Sequence, residues 1–318
     1  MTIDTRSASP ERVAGAPSSA VSVAPARALR PEPSFFQRLV GPWRGNRLGI
    51  VGGLLTLTLI LLAIFGPSLA PMGPTEIDLR AKLTAPGAVG AGSTTMHWLG
   101  TDNLGRDTLS RMLYAAQVTV VIAAAAVVLS TAVGVVLGIL SGYFGGWVDL
   151  LLMRVVDIQL AFPMLLLAIT VIAVFGSGIP ILIFVFVLAG WVRYVRVIRA
   201  QTLVLKEAQF VEAARSIGAN HWDIIRRHVT PNLLTEIIIL VNLEIGRIIL
   251  VESSLSYLGL GVQPPMPTWG NMLNEGRQYL QTAWWVVTFP GAAIMLTVLG
   301  VNLLAEGLRA IYDPRSRK

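Results

Sequence analysis

The segment Glu212–Asn232, EAARSIGANHWDIIRRHVTPN, is the one long polar stretch between hydrophobic spans that also carries strong internal order. Glu-Ala-Ala-Arg-Ser-Ile reads as helix, and Gly218 supplies a residue that takes positive φ at a helix C-terminus. Asn220 suits the N-cap of a second short helix, with Asp223 at its N3 position, where a carboxylate favours the helix dipole. Trp222, Ile225 and Val229 fall on one side of that helix. Thr230-Pro231 reads as the cap and first residue of the next long helix. The spacing predicts a helix-turn-helix elbow between two membrane spans, with Arg215, Arg226, Arg227 and His228 facing water. On composition alone, a plain solvated loop is the competing reading.

The chain around this elbow is too apolar for a soluble protein. Its 318 residues are 54 % hydrophobic and 14 % charged, with a mean hydropathy of +0.66, whereas soluble domains carry about 25 % charged residues. It is therefore expected to be an all-α integral membrane protein. A net charge of +7 raises nucleic acid as a partner only for a soluble chain. Here the basic residues lie between hydrophobic spans, as the positive-inside rule requires. The absence of cysteine excludes disulfides, thiol catalysis and cysteine metal sites.

Residues 1–47, rich in Ala, Ser, Pro and Arg, are expected to form a disordered cytoplasmic tail, with a short interfacial helix around Phe35, Phe36 and Trp43. A cleavable signal is disfavoured, because Leu48–Ala70 is long enough to span a bilayer. That first span and a polar external segment fill residues 48–116, and a transmembrane core fills 117–308. The core's spans are expected at Val118–Leu140, about Leu150–Phe175 with a kink at Pro163, Ile179 to about Val192, about Leu233–Leu258, and Ala283–Leu304. Arg193, Arg196 and Arg199 mark the end of the fourth by snorkelling toward headgroups. Trp284 and Trp285 read as an interfacial belt, and residues 309–318 as a second cytoplasmic tail.

Charge bookkeeping sets the orientation. The first 47 residues hold seven Arg or Lys, and Arg193–Arg227 holds seven more against three acidic residues. The short turns at 176–178 and 258–284 offer only Arg277. Six spans with both termini and residues 193–232 inside satisfy the rule, whereas five would put a basic end outside.

Two places carry ionisable groups outside the elbow. In the external segment, Asp102, Arg106 and Asp107 are spaced for a local ion-pair cluster that folds the loop, with substrate contact as the alternative. The fifth span holds Glu236, Glu244, Arg247 and Glu252. Glu244 and Arg247 pair at i, i+3, and groups this deep face a bundle interior or a water-filled path, so Glu244, Arg247 and Glu252 are candidates for a pathway or gate.

Glu212-Ala213-Ala214, then Gly218, Ile224 and Pro231, resembles the EAA loop of bacterial ABC-importer permeases. LGTDNLGRDTLSRMLYAAQVTV (Leu99–Val120), ESSLSYLGLGVQPPMPTWGNMLNEGR (Glu252–Arg277) and GLRAIYDPR (Gly307–Arg315) resemble its dipeptide, oligopeptide and nickel branch, C-type subunit. The resemblance covers roughly Phe35–Arg315. It implies a type I importer half-channel in the bacterial cytoplasmic membrane, moving peptides, with nickel chelates, glutathione or oligosaccharides as alternative cargo. It also implies a homologous second permease, two cytoplasmic ATPases that hold ATP and Mg, and an external substrate-binding protein. Glu212, Ala213, Ala214, Arg215, Gly218, Ile224, His228 and Pro231, within a coupling loop at 201–232, are then expected to couple the bundle to the ATPase. Glu212 would pair in the ATPase groove, the alanines allow close approach, Gly218 sets the angle and Pro231 fixes the next span.

No catalytic constellation accompanies these features. The phosphate-loop pattern G-x-x-x-x-G-K-[ST] is missing, so the subunit is expected not to be an enzyme and to carry no cofactor. His97, His221 and His228 lack metal-ligand spacing, and no G-x-S-x-G elbow occurs. An ion-coupled secondary transporter using Glu244, Arg247 and Glu252 is the rival class, for which inverted repeats with broken helices are the missing support. A non-transporting membrane scaffold is a further rival; it should lack charged spans and an ordered elbow.

Overall fold

The computed structural model describes residues 46–90 and 95–312. The expected N-terminal tail with its interfacial helix lies almost wholly outside them, as does the chain beyond Tyr312. Helix α1 (Arg47–Leu69) begins where the Asn46 side chain accepts a hydrogen bond from the Gly49 N–H at 3.0 Å. The described part of the loop that follows is largely irregular, with a two-residue antiparallel pair, β1 (Ala88–Val89) and β2 (Met96–His97), and an isolated bridge between Thr101 and Asp107.

Helix α2 (Thr108–Phe144) has 37 residues, about 55 Å at 1.5 Å per residue. It starts ten residues before the expected Val118. Its start is set by a cap rather than by hydropathy, since the Asp107 carboxylate accepts from the Ser110 N–H at 2.8 Å. Then α3 (Gly146–Leu160) and α4 (Met164–Phe175) meet at 86°. The expected kink at Pro163 is thus a full break. Proline removes one N–H and steers Phe162 out of the helical region, and Pro163 itself is extended (ψ 129°).

Helix α5 (Ile179–Lys206) runs past the expected end near Val192, because no glycine or proline interrupts residues 191–206. The elbow is α6 (Gln209–Ser216) and α7 (His221–Ile224), and a π-helical turn (Ile225–Val229) leads into α8 (Thr230–Tyr257). Short α9 (Trp269–Gly276) precedes α10 (Trp285–Tyr312). Part of the expected C-terminal tail, Arg309–Tyr312, is therefore helix.

Among the described residues four helices, α1, α2, α5 and α10, are long and apolar enough to cross a membrane, and the bent α3–α4 pair adds a fifth if the two are taken as one span. The expected fifth span is α8, whose 28 residues reach about 42 Å, although its charge keeps it outside that apolar set. It carries four ionisable residues, Glu236, Glu244, Arg247 and Glu252, and it keeps Glu244 (5 % exposed) and Glu252 (1 % exposed) turned into the bundle. Helices α2, α5 and α8 place the elbow at one end of the bundle, and residues 70–90, 95–107 and 258–284 with α9 at the other.

Lipid provides no hydrophobic drive between helices, so close approach must. On α2, Gly134, Gly138 and Gly142 form a period-four stripe against α5. A β-carbon would fall 2.4 Å from Tyr194 Cβ at the first, 2.9 Å from Ile198 Cβ at the second and 2.7 Å from Thr202 Cβ at the third. Helices α1 and α10 meet equally closely, a β-carbon on Gly52 lying 2.2 Å from the Leu304 nitrogen. The main core joins α2, α4, α5 and α8 through Ile122, Ile172, Leu182, Phe186, Ile248 and Leu255. Trp285, expected in an interfacial belt, is instead buried and donates from Nε1 to the Thr101 carbonyl at 3.1 Å; Trp284 remains exposed.

Candidate functional site

The elbow turns at a Schellman motif. Gly218 has φ +84°, the Ala219 N–H donates to the Ala214 carbonyl at 3.1 Å, and the Gly218 N–H donates to Arg215 at 3.0 Å. An added β-carbon at Gly218 would meet nothing within 4 Å, so the glycine serves conformation rather than space. The inner face, Val211, Ala214, Ile224, Ile225 and Val229, packs on Ile139, Tyr143 and Ile198 of the bundle. Tyr143 Oη and His221 Nδ1 are 3.0 Å apart and tie α2 to α7. Beside them, Arg199 Nη2 donates to Asp149 Oδ2 at 2.6 Å, and Arg199 Nε bonds the other carboxylate oxygen, joining α5 to α3. Arg193 and Arg199 thus reach carboxylates, not headgroups.

The outer face is exposed: Glu212, Ala213, Arg215, Ser216, Asp223, Arg226 and Arg227, together with the apolar Ile217 (86 % exposed) and Trp222 (62 % exposed). Several expectations change here. Ala214 and Ile224 face the bundle, so within the elbow they position the outer residues. Trp222 faces out while Ile224 takes its place in the core. His228 is half-buried, its ring 6.3 Å from that of Phe210. Asn220 holds the N-cap position without a side-chain capping bond. Thr230 caps nothing: its N–H donates five residues back, to the Ile225 carbonyl, and helix runs on through it. Pro231 explains the wide turn. It lacks an N–H and its ring crowds the carbonyl four residues back, which a π turn relieves.

The second cluster lies within the bundle. Arg247 Nη1 donates to Glu244 Oε1 at 2.9 Å, the pairing expected from spacing, and Arg193 Nη1 on α5 reaches Glu244 Oε2 at 3.3 Å. Arg193 and Arg247 line a cavity of about 180 Å³ at the α3–α4 break, with Gln159, Phe162 and Met164. Glu252 does not line it. This third pathway candidate is enclosed nearer the loop end, accepting from Ser256 Oγ at 2.7 Å.

At the loop end, Arg106 Nε donates to Asp102 Oδ2 at 2.6 Å, and Arg111 Nη1 bonds the same oxygen. Both arginines reach Glu275 Oε2 on α9 at 2.7 Å. Asp107 is not part of this cluster: it caps α2 and lies 3.0 Å from His97 Nδ1. All of these except Glu275 are buried, which makes them a brace between the start of α2 and α9. Arg111, Glu275, Arg193 and the Asp149–Arg199 pair went unforeseen, since partners far apart in sequence leave no local signal. The glycine stripe GVVLGILSG (Gly134–Gly142) had one in its period of four.

A bundle of broken and continuous spans with an ordered elbow at one end defines a membrane permease. The family described as binding-protein-dependent transport system inner membrane component matches residues 134–318, and the N-terminal TM domain of oligopeptide transport permease C matches residues 34–86. The chain belongs to that permease family, with the type I ABC-importer fold and the C-type branch as its place within it. It is 38 % identical to the dipeptide transport system permease protein DppC of Alkalihalophilus pseudofirmus over 294 residues, 90 % of this chain and 94 % of the relative. It is 39 % identical to the glutathione transport system permease protein GsiD of Pectobacterium atrosepticum, covering 86 % and 91 %. To the probable D,D-dipeptide transport system permease protein DdpC of Escherichia coli K12 it is 37 % identical, covering 88 % and 91 %.

Proposed function

We propose that this chain is one permease subunit of an importer that carries short peptides across the cytoplasmic membrane. It pairs with a homologous second permease, two cytoplasmic ATPases and an external substrate-binding protein. ATP and Mg are held by the ATPases, and this subunit performs no hydrolysis. The observation that carries the reading is the outer face of the elbow, where Ile217 and Trp222 are largely exposed beside Glu212, Arg215 and Arg226. Exposed apolar side chains rimmed by charge fit a protein groove better than water or headgroups.

In this account the elbow end faces the cytoplasm, as its arginines favour. ATP-driven closure of the ATPase pair moves two such elbows together as levers. The motion passes into the bundle through the packed inner face and the Tyr143–His221 and Asp149–Arg199 contacts. Glu212, Ala213 and Arg215 meet the groove. Gly218 and Pro231 set the elbow's geometry, and Ala214, Ile224 and His228 hold it to the bundle. Glutathione is the second cargo reading, favoured by the GsiD relatives.

Purification of the tagged chain from native membranes tests the assembly. A second six-span permease and phosphate-loop ATPases should co-purify, and Gly218→Val should lower ATPase recovery while leaving the chain inserted, since a β-carbon costs about 1–2 kcal/mol in the left-handed region. Recovery of this chain alone, active in uptake driven by an ion gradient, would contradict it.

A further inference from the structure

Arg193 on α5 and Arg247 on α8 share one carboxylate, Glu244, which is 5 % exposed. Two guanidiniums against one carboxylate leave a positive charge in excess, near the middle of two 28-residue helices. Among the described residues, no second Asp or Glu lies within ion-pair distance of either arginine. Such a charge is costly at this depth unless a water-filled path or a counter-ion meets it.

The donors left over point one way. Both Glu244 oxygens are taken, one by each arginine. Arg193 uses only Nη1, and its side chain is 52 % exposed. Arg247 turns Nη2 to Met164 Sδ at 2.9 Å, a weak acceptor. Both line the cavity of about 180 Å³ at the α3–α4 break, where irregular backbone is tolerated because it borders a cavity.

We infer that this cavity is an anion subsite on the transport path, in which Arg193 and Arg247 receive a carboxylate of the cargo. The inference rests on the reading of the chain as a peptide permease. Glu244 acts as a positioning residue that holds the two planar forks in place without filling them. A carboxylate accepts two parallel hydrogen bonds from such a fork, and an amide cannot match that charge.

The chain contains no cysteine, so Phe162→Cys, at the cavity and 60 % exposed, gives a single label site. Maleimide labelling of this chain is followed by mass in the complete importer in nanodiscs, with the dipeptide Ala-Ala, its C-terminal amide, or acetate as probe. The free acid should slow labelling about tenfold more than the amide, the worth of one charge-assisted hydrogen bond. Arg193→Gln should abolish that difference. Arg193→Lys, which keeps the counter-charge to Glu244 and so the fold, should retain part of it. Equal protection by acid and amide, or a difference that survives both Arg193→Gln and Arg247→Gln, would overturn the subsite. Protection by acetate alone, lost in Arg193→Gln, would keep the anion subsite and overturn the peptide reading beneath it.

Discussion

Glu244 shows how much one side chain can settle. Its pairing with Arg247 was readable from the i, i+3 spacing, because both residues sit on one helix face. Arg193, 51 residues away, was not, because its approach depends on how α5 packs against α8. Removing Glu244 alone leaves two guanidiniums without a counter-charge; because Arg193 and Arg247 are 52 % and 26 % exposed, Glu244→Ala should destabilise the chain by about 1–2 kcal/mol, less than the loss of a fully buried partner. The double variant Glu244→Ala/Arg247→Ala should lose less than the sum of the two single losses. Thermal unfolding in detergent reads all three, and additive losses would show the pair to be uncoupled. Gly218 was equally readable, since a turn between two helical patterns calls for positive φ and the chain offers glycine there. Asp107 was misplaced by the same local logic. Its neighbours suggested an ion-pair cluster, whereas the carboxylate caps α2 and meets His97.

At the scale of elements, hydropathy placed α1 to within a residue at each end and the end of α4 at Phe175, but it missed other boundaries. A cap starts α2 ten residues before the apolar run does, and α5 continues past Val192 because nothing breaks it. Pro163 announced a kink but not its size, because the 86° angle develops over the three residues 161–163 that lie outside both helices rather than at the proline alone. Pro231 was read as a helix start and does sit in the first turn of α8, but a π turn at Ile225–Val229 joins that helix to the elbow without a cap. The glycine stripe on α2 decides how α2 and α5 pack. Gly134→Ala, with its β-carbon 2.4 Å from Tyr194 Cβ and 2.7 Å from the Trp191 carbonyl, should lower stability by about 1–3 kcal/mol. Gly138→Ala, with contacts of 2.9 and 3.0 Å, should cost less. Unfolding midpoints of the two variants would test the order, and a reversed order would mean that α5 yields more easily at Tyr194 than at Ile198.

For the whole molecule, the all-helical membrane bundle was readable because span length and hydropathy are written locally in the sequence. The loop-end brace, the Trp285 anchor and the coupling contacts were not, since each joins residues brought together only by the folded bundle. The central claim is that the elbow's outer face seats an ATPase. Its most direct test is cross-linking in native membranes from Ile217→Cys, an 86 % exposed position on the elbow, with Leu79→Cys, 67 % exposed at the loop end, as control. The account predicts an adduct between Ile217→Cys and a phosphate-loop ATPase, and none from Leu79→Cys. An Ile217→Cys chain that captures no ATPase, or captures it no better than Leu79→Cys, would contradict the account.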